Sequence, residues 1–416
     1  MNIVVLHPTG NKNVRAVLTG LSKAGMLSEF NTTLAVSPKS TWLRYLPGNI
    51  RQELLRRTYP SIDKSLIISH PLRELSRLLF TKLGWHRLVK PESGWLSIDA
   101  VYQSLDREVS KRLSYKGKTS VDGIYGYEDG ALECFTAAKK LGIKCIYELP
   151  IAFWETGRDL MQGEALRKPE WEVTLGGGTR DSIAKLERKT KELQLADVVI
   201  VASSFVKDSL PEWAKSKTII MSPFGSPASA ESADHTGLRS SGSSNRKLRI
   251  LFAGSMGQRK GLCDLFEAVD LLKRDDLELV VMGSLLAPMD FYRSKLANFT
   301  YEPGRSNEQV LELMRSCDVF CLPSIVEGRA LVMQEAMSQG LPIIITPNTG
   351  GSDLVIEGKT GFLIPIRSPE KIAERIEWFL NNREKIPEMG MHAQTHAATY
   401  TWENYSLNVV EGIRNI

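Results

Sequence analysis

The sequence predicts an α/β protein of two Rossmann-like, doubly wound domains facing each other across a cleft. Short apolar runs alternate with helical periodicity from end to end. The runs form two series, and a stretch rich in Ser, Ala and Gly separates them. A chain of 416 residues suits two domains of ordinary size. With 42% hydrophobic and 24% charged residues, the composition excludes disordered, collagenous and disulfide-scaffold chains.

The first series is NIVVLH (2–7), TTLAVS (32–37), GIYGY (123–127), KCIYEL (144–149), DVVIVAS (197–203) and TIIMSP (218–223). The second is LRILFAG (248–254), LELVVMGS (277–284), DVFCLPS (318–324), LPIIITP (341–347) and GFLIPI (361–366). These runs are continuous rather than alternating, as expected of strands covered on both faces of a parallel sheet. Helical spacing lies between them, as in Leu262, Leu265, Phe266, Val269 and Leu272, so the units are right-handed βαβ crossovers. Residues 1–225 form an N-terminal domain, 226–247 a linker or exposed loop, and 248–395 a C-terminal domain. Residues 370–382 and 402–413 read as helices, and 396–416 as a terminal helix available to pack back on the N-terminal domain. No solenoid period is found.

No apolar run approaches the ~20 residues of a membrane span. MNIVVLHPTG lacks a basic region before its apolar stretch and reads as a first strand rather than a leader. Five cysteines without C-x-x-C suit a reducing compartment. The expected location is therefore cytoplasmic, with a peripheral position on the inner face of the plasma membrane left open. His392 and His396 share helical spacing but lack H-E-x-x-H and read as a solvated face. D-x-D is absent, and neither metal nor cofactor is expected.

The segment 324–355 is the richest in chemistry. Glu327 follows a strand, Gly328 permits a tight turn, and a helix is expected from Arg329 or Ala330 to about Gln339, stopped by Gly340. Glu335 then lies about one turn inside. The open amides of Arg329, Ala330 and Leu331 suit a phosphate, and the two carboxylates suit sugar hydroxyls on either side. Two solvated glutamates would give the same pattern. In LFAGSMGQRKGLCDLFEAV (251–269), Gly254 and Gly257 allow a close backbone approach, and Arg259 and Lys260 stand at a helix entrance. Cations there oppose the helix dipole unless an anion lies between, and a diphosphate is the natural candidate. A solvent-facing basic turn is the alternative.

The pairing of F-A-G-x-x-x-x-R-K-G with E-G-x-x-x-x-x-x-E-A-M-x-x-G-x-P resembles glycosyltransferase family 4, of the GT-B fold. ADVVIVASSFVKDSL (196–210), MGS (282–284, with Gly283), CDVFCLPS (317–324) and Asp353…Gly358…Gly361 add to it. The resemblance covers nearly all of 248–366 and is weaker over 1–225. It implies retaining, metal-independent transfer from a nucleotide-diphosphate sugar bound by the C-terminal domain, with the acceptor on the N-terminal side. It implies that Glu327 contacts the donor sugar, Glu335 the ribose and Lys260 the diphosphate. Many relatives have an arginine where this chain has Ser255, and Arg259 is the substitute.

The N-terminal half contributes PTGNKN (8–13), where Gly10 and Asn11 end the first strand and face the cleft. Where relatives place a histidine near the transferred sugar, this chain has Tyr127 and Glu128. Glu128 is then either the polar partner or part of an acidic helix cap.

Net charge is only +5, yet Arg44, Arg51, Arg56, Arg57, Lys64, Arg73, Arg77, Lys82, Arg87 and Lys90 face only Glu53, Asp63 and Glu74. Leu72, Leu75, Leu79 and Leu83 form a helical stripe within this segment. It either packs on the N-terminal sheet or lies on an anionic membrane, with Trp85 nearby. The basic residues lack the interleaved aromatics of a nucleic-acid reader, so no nucleic acid is expected.

The expected reaction moves a sugar from a nucleotide-diphosphate donor to a glycan or lipid-linked glycan acceptor, in cell-envelope or exopolysaccharide synthesis. A nucleotide-sugar epimerase of the same fold and a non-catalytic nucleotide-sugar-binding protein are the alternatives. A protein nucleophile, if one is used, would be Glu128.

Overall fold

The computed structural model describes residues 1–45, 47–116, 121–227 and 246–416. All but the ends of the proposed linker 226–247 lies outside them. Seven strands form the N-terminal sheet: β1 (Ile3–Leu6), β2 (Leu27–Thr32), β3 (Ile67–Ser69), β4 (Gly123–Tyr127), β5 (Lys144–Leu149), β6 (Val198–Val201) and β7 (Thr218–Met221), in the order β3-β2-β1-β4-β5-β6-β7. Six form the C-terminal sheet: β8 (Leu248–Ala253), β9 (Leu277–Met282), β10 (Thr300–Glu302), β11 (Val319–Leu322), β12 (Ile343–Ile345) and β13 (Gly361–Leu363), in the order β10-β9-β8-β11-β12-β13. Every pairing is parallel, for example Ile124 with Cys145 and Phe252 with Val281. Each sheet reverses its winding once, between β1 and β4 and between β8 and β11. A crevice opens at the carboxyl ends of the strands at such a point.

The described helices of eight or more residues are α1 (Lys12–Lys23), α2 (Gly48–Leu55), α3 (Pro71–Lys82), α4 (Ile98–Lys116), α5 (Leu132–Leu141), α6 (Trp154–Arg167), α7 (Ile183–Leu195), α8 (Leu262–Leu272), α9 (Asn307–Arg315), α10 (Leu331–Ser338), α11 (Pro369–Asn381), α12 (Ile386–Ala398) and α13 (Trp402–Arg414). None is long and apolar enough to cross a membrane.

The second strand runs over 27–32, not 32–37. Gly25, with φ +66°, turns the chain out of α1, and Leu34 has already left the sheet for a small cluster with Leu43 and Leu54. Strand β13 ends at Leu363 because Pro365 has no amide for the ladder. The short strands β3 and β10 lie at sheet edges, and their three residues each are too few to show a pattern. The leucine stripe of α3 is not packed on the sheet: Leu72, Leu75, Leu79 and Leu83 are exposed. Instead α3 turns Glu74 inward, fully buried, to meet Arg57 and Arg77 at 3.3 and 2.7 Å.

Two segments cross between the domains. Residues 154–174 follow β5, yet Trp171 is buried in the C-terminal core, edge-on to Phe266, Phe291 and Tyr292. Arg167 bridges Glu164 and Asp264 at 2.7 and 2.8 Å, and the Gln258 amide donates to both acids. In the other direction α13 packs on α1 and places Tyr405, Val409, Val410 and Ile413 in the N-terminal core. Tyr405 donates from its hydroxyl to buried Glu148 at 3.1 Å.

Candidate functional site

The two switch points face each other across a cleft of about 1110 Å³. Its walls are the strand ends: His7, Thr9, Gly10 and Asn11 after β1, Tyr127 and Glu128 at β4, Pro150 after β5, Gly254 and Ser255 after β8, and Glu327 after β11. Lys260 and Glu327 line the cleft, whereas Arg259 is not among its described lining residues; Arg259 Nη1 and Lys260 Nζ converge on one oxygen, Glu327 Oε1, at 2.6 and 2.5 Å. Lys260 and Glu327 are largely enclosed, their side chains 12% and 11% exposed, whereas the Arg259 side chain is 32% exposed. The turn 258–260 holds the cations ahead of α8. Gly261, in the left-handed region at φ +73°, ends that turn, and a Cβ there would collide with the Pro323 carbonyl. Burial is the largest influence on Lys260 and lowers its pKa; Glu327 opposes this and Arg259 adds to it. The anion between the two cations is thus the Glu327 carboxylate.

Helix α10 begins at Leu331, one or two residues later than the sequence suggested. The Ala330 amide is not open, because it donates to the Thr349 carbonyl at 3.2 Å. The unpaired amides of the first turn are instead those of Leu331 and Val332, which line the cleft. The Arg329 side chain is fully enclosed and bonds Gln334, the Gly350 carbonyl and Asp353. Only its backbone can meet a ligand. Glu335 lies one turn into α10 on the cleft wall, accepts from Asn307 Nδ2 at 3.1 Å and faces Lys12 at 3.8 Å.

Gly254 lines the cleft, whereas Gly283 and Gly328 do not. A Cβ on Gly283 would strike the Gly254 carbonyl, and one on Gly328 the Pro150 carbonyl across the domain boundary. The Gly328 carbonyl also accepts from Ser203 Oγ at 2.6 Å. Both glycines therefore serve close backbone packing.

On the N-terminal wall Gly10 adopts φ +62°, with Tyr59 filling the space a Cβ would take, and Asn11 starts α1 without a side-chain cap bond. Glu128 is no helix cap. Its carboxyl faces Lys189 at 3.5 Å, and Oε1 is buried without a hydrogen-bond partner. Burial raises its pKa to about 7, with Lys189 opposing.

Sequence reasoning missed His7, the last polar residue of the run NIVVLH. Its Nδ1 accepts from the amides of Thr9 and Gly10 at 3.0 and 2.9 Å, which puts the ring proton on Nε2. Burial, then Arg57, pulls its pKa down to about 3, so the ring is a neutral donor beside Tyr127, 4.7 Å away edge-on. A polar residue closing an apolar run at a switch-point strand was the available signal. The unfolded chain binds this proton below about pH 6.5, and the folded chain does not until about pH 3. Its contribution to stability is thus complete above pH 6.5 and lost as pH falls towards 3. Melting curves between pH 7 and 4 are expected to show a shallower acid destabilisation in His7→Asn than in the parent.

Among the described residues no group of three or more His, Cys, Asp or Glu could hold a metal ion. His396 bonds the Asp353 carbonyl and His392 faces Glu388. All five cysteines are buried and unbridged.

Residues 235–396 match the family model for glycosyl transferases group 1. The match takes in the Arg259–Lys260–Glu327 cluster and α10. The D-inositol 3-phosphate glycosyltransferase of Paenarthrobacter aurescens is 30% identical over 179 residues, 40% of this chain and 43% of that protein. The chain thus spans under half the length of that curated relative. Among solved structures, Anabaena Alr3699/HepE in complex with UDP superposes with a TM-score of 0.64 at 15% identity over the whole of both chains. Sucrose-phosphate synthase from Thermosynechococcus elongatus also gives 0.64, at 16% identity, over 100% of this chain and 98% of that one. The fold is GT-B, two Rossmann-like domains around a central cleft.

Proposed function

We propose that the protein is a retaining, family 4 glycosyltransferase that moves a hexosyl group from a nucleotide-diphosphate sugar to an acceptor hydroxyl. The observation that carries this is the convergence of Arg259 and Lys260 on Glu327 beside the open amides of α10. A diphosphate entering the cleft exchanges with the carboxylate for the two cations and accepts from the Leu331 and Val332 amides. Glu327, released, accepts from the sugar hydroxyls, while Glu335 reads the ribose one helical turn away. The group 1 match and a solved neighbour that carries UDP-glucose support a donor of this class.

In the proposed reaction the anomeric C–O bond to the diphosphate breaks and the acceptor oxygen bonds the same carbon from the same face. The acceptor proton passes to the departing phosphate oxygen. Negative charge develops on the diphosphate, where Lys260, Arg259 and the amides stabilise it, each well-placed donor contributing about 3 kcal/mol; no metal ion is required. His7 Nε2–H and Glu128 face the transfer point from the N-terminal wall and orient hydroxyl groups. The acceptor is proposed to be a glycan, free or lipid-linked, of the cell envelope or an exopolysaccharide, glycosylated on the cytoplasmic side.

Titration with UDP-, GDP- and ADP-sugars, followed by assay of nucleoside diphosphate release with and without glycan acceptors, tests the proposal. One donor is expected to bind and to release its nucleotide with acceptor present. Conversion of the donor alone into an isomer, or binding without turnover on any acceptor, would overturn it.

A further inference from the structure

The exposed stripe of α3 and its surroundings have no role in the cleft chemistry. Leu72, Leu75, Leu79 and Leu83 are 82, 45, 55 and 56% exposed, and Trp85 and Trp95 are 56% and 66% exposed. At 100° per residue the four leucines fall within an arc of about 80° on one side of the helix. Buried Glu74 lies away from that arc, and half-buried Leu78, on its flank, packs beside Leu34, Leu43 and Leu54. The helix is therefore anchored by one face and presents the other outward. An apolar face of this kind is uncommon on a surface without a partner.

Charge decides which partner fits. The three acids of this stretch are already engaged: Glu53 with Arg56 and Arg57, Glu74 with Arg57 and Arg77, and Asp63 with the amide and hydroxyl of Ser65. Arg44, Arg51, Lys64, Lys82, Arg87 and Lys90 have no acidic partner among the described residues. A second copy of the chain would bring the positive charge of Lys82, Arg87 and Lys90, which lie on α3 and the segment after it, against itself. An anionic bilayer complements it, taking the leucines below the headgroups and the cations among them. Exposed Trp85 and Trp95 have the amphipathic rings that favour that boundary.

We propose that α3 and the segment following it to Trp95 dock on an anionic lipid surface. Glu74 of α3 holds Arg57, and Arg57 lines the cleft. Docking would bring the N-terminal wall of the cleft towards the lipid surface. This proposal is independent of the transfer reaction, because its test reads lipid binding alone.

The test is co-sedimentation of the full chain with vesicles of phosphatidylcholine alone or mixed with phosphatidylglycerol. Binding is expected only to the mixed vesicles, and salt is expected to weaken it. Leu72→Ser and Leu79→Ser are each expected to weaken it roughly tenfold, with unchanged melting temperature because both side chains are exposed. Lys82→Glu combined with Arg87→Glu should remove the preference for anionic lipid. Failure to sediment with mixed vesicles, or binding that these variants leave unaltered, would overturn the proposal. So would a concentration-dependent dimer that Leu79→Ser dissociates, since a second copy would then cover the stripe.

Discussion

Lys260→Ala is expected to lower kcat/KM for transfer by about a hundredfold to a thousandfold, the range for loss of one enclosed charge-stabilising donor. The ammonium is held by burial and by Glu327 at 2.5 Å, so nothing nearby replaces it. Arg259 keeps its own bond to Glu327 at 2.6 Å and a second to the Val326 carbonyl at 3.0 Å, which fixes its guanidinium where it is. The fold should survive, because the carboxylate left behind retains Arg259 as partner. Steady-state kinetics with calorimetric titration of the nucleoside diphosphate separate the effects. Both turnover and diphosphate affinity are expected to fall, and near-normal turnover would refute the assignment.

Glu327→Gln should separate those two quantities. Turnover is expected to fall by at least about a hundredfold, because the anionic acceptor of the sugar hydroxyls is gone. Diphosphate affinity should hold or rise, because the carboxylate that competes for Lys260 and Arg259 has become neutral. The same kinetics and titrations check it. If Glu327→Gln weakens diphosphate binding as strongly as Lys260→Ala does, the carboxylate supports the site rather than reading the sugar.

The motifs made the C-terminal half of the site legible. Glu327, Lys260 and Arg259 are adjacent to glycines and helix starts, Glu335 lies eight positions after Glu327 and about one turn inside the helix that follows, and the family resemblance brings Arg259 and Lys260 to the same pocket. What spacing does not convey is which amide of a helix start is already used. Thr349 takes the Ala330 amide from 19 residues further along the chain, so the anion-binding turn shifts to Leu331 and Val332. For the same reason Gly283 and Gly328 read as ligand-facing when they make room for backbone. Glycine signals a close approach without naming what approaches. His7 was hidden inside an apolar run, where its two amide contacts depend on the turn at Gly10. The exposed side of α3 was equally undecidable, because its periodicity defines a stripe but not the direction in which the stripe points. That direction is set by Arg57, which lies on a different segment from α3.

The reciprocal crossings of Trp171 and α13 have a consequence for dissection of the molecule. A cut anywhere in 226–247 would not yield two self-sufficient halves. The first would lack the helix that covers Tyr125 and Val198 in its core, and the second would lack the indole plugged among Phe266, Phe291 and Tyr292. Each fragment would carry an unfilled socket shaped for the other, so the pair is interlocked at both ends.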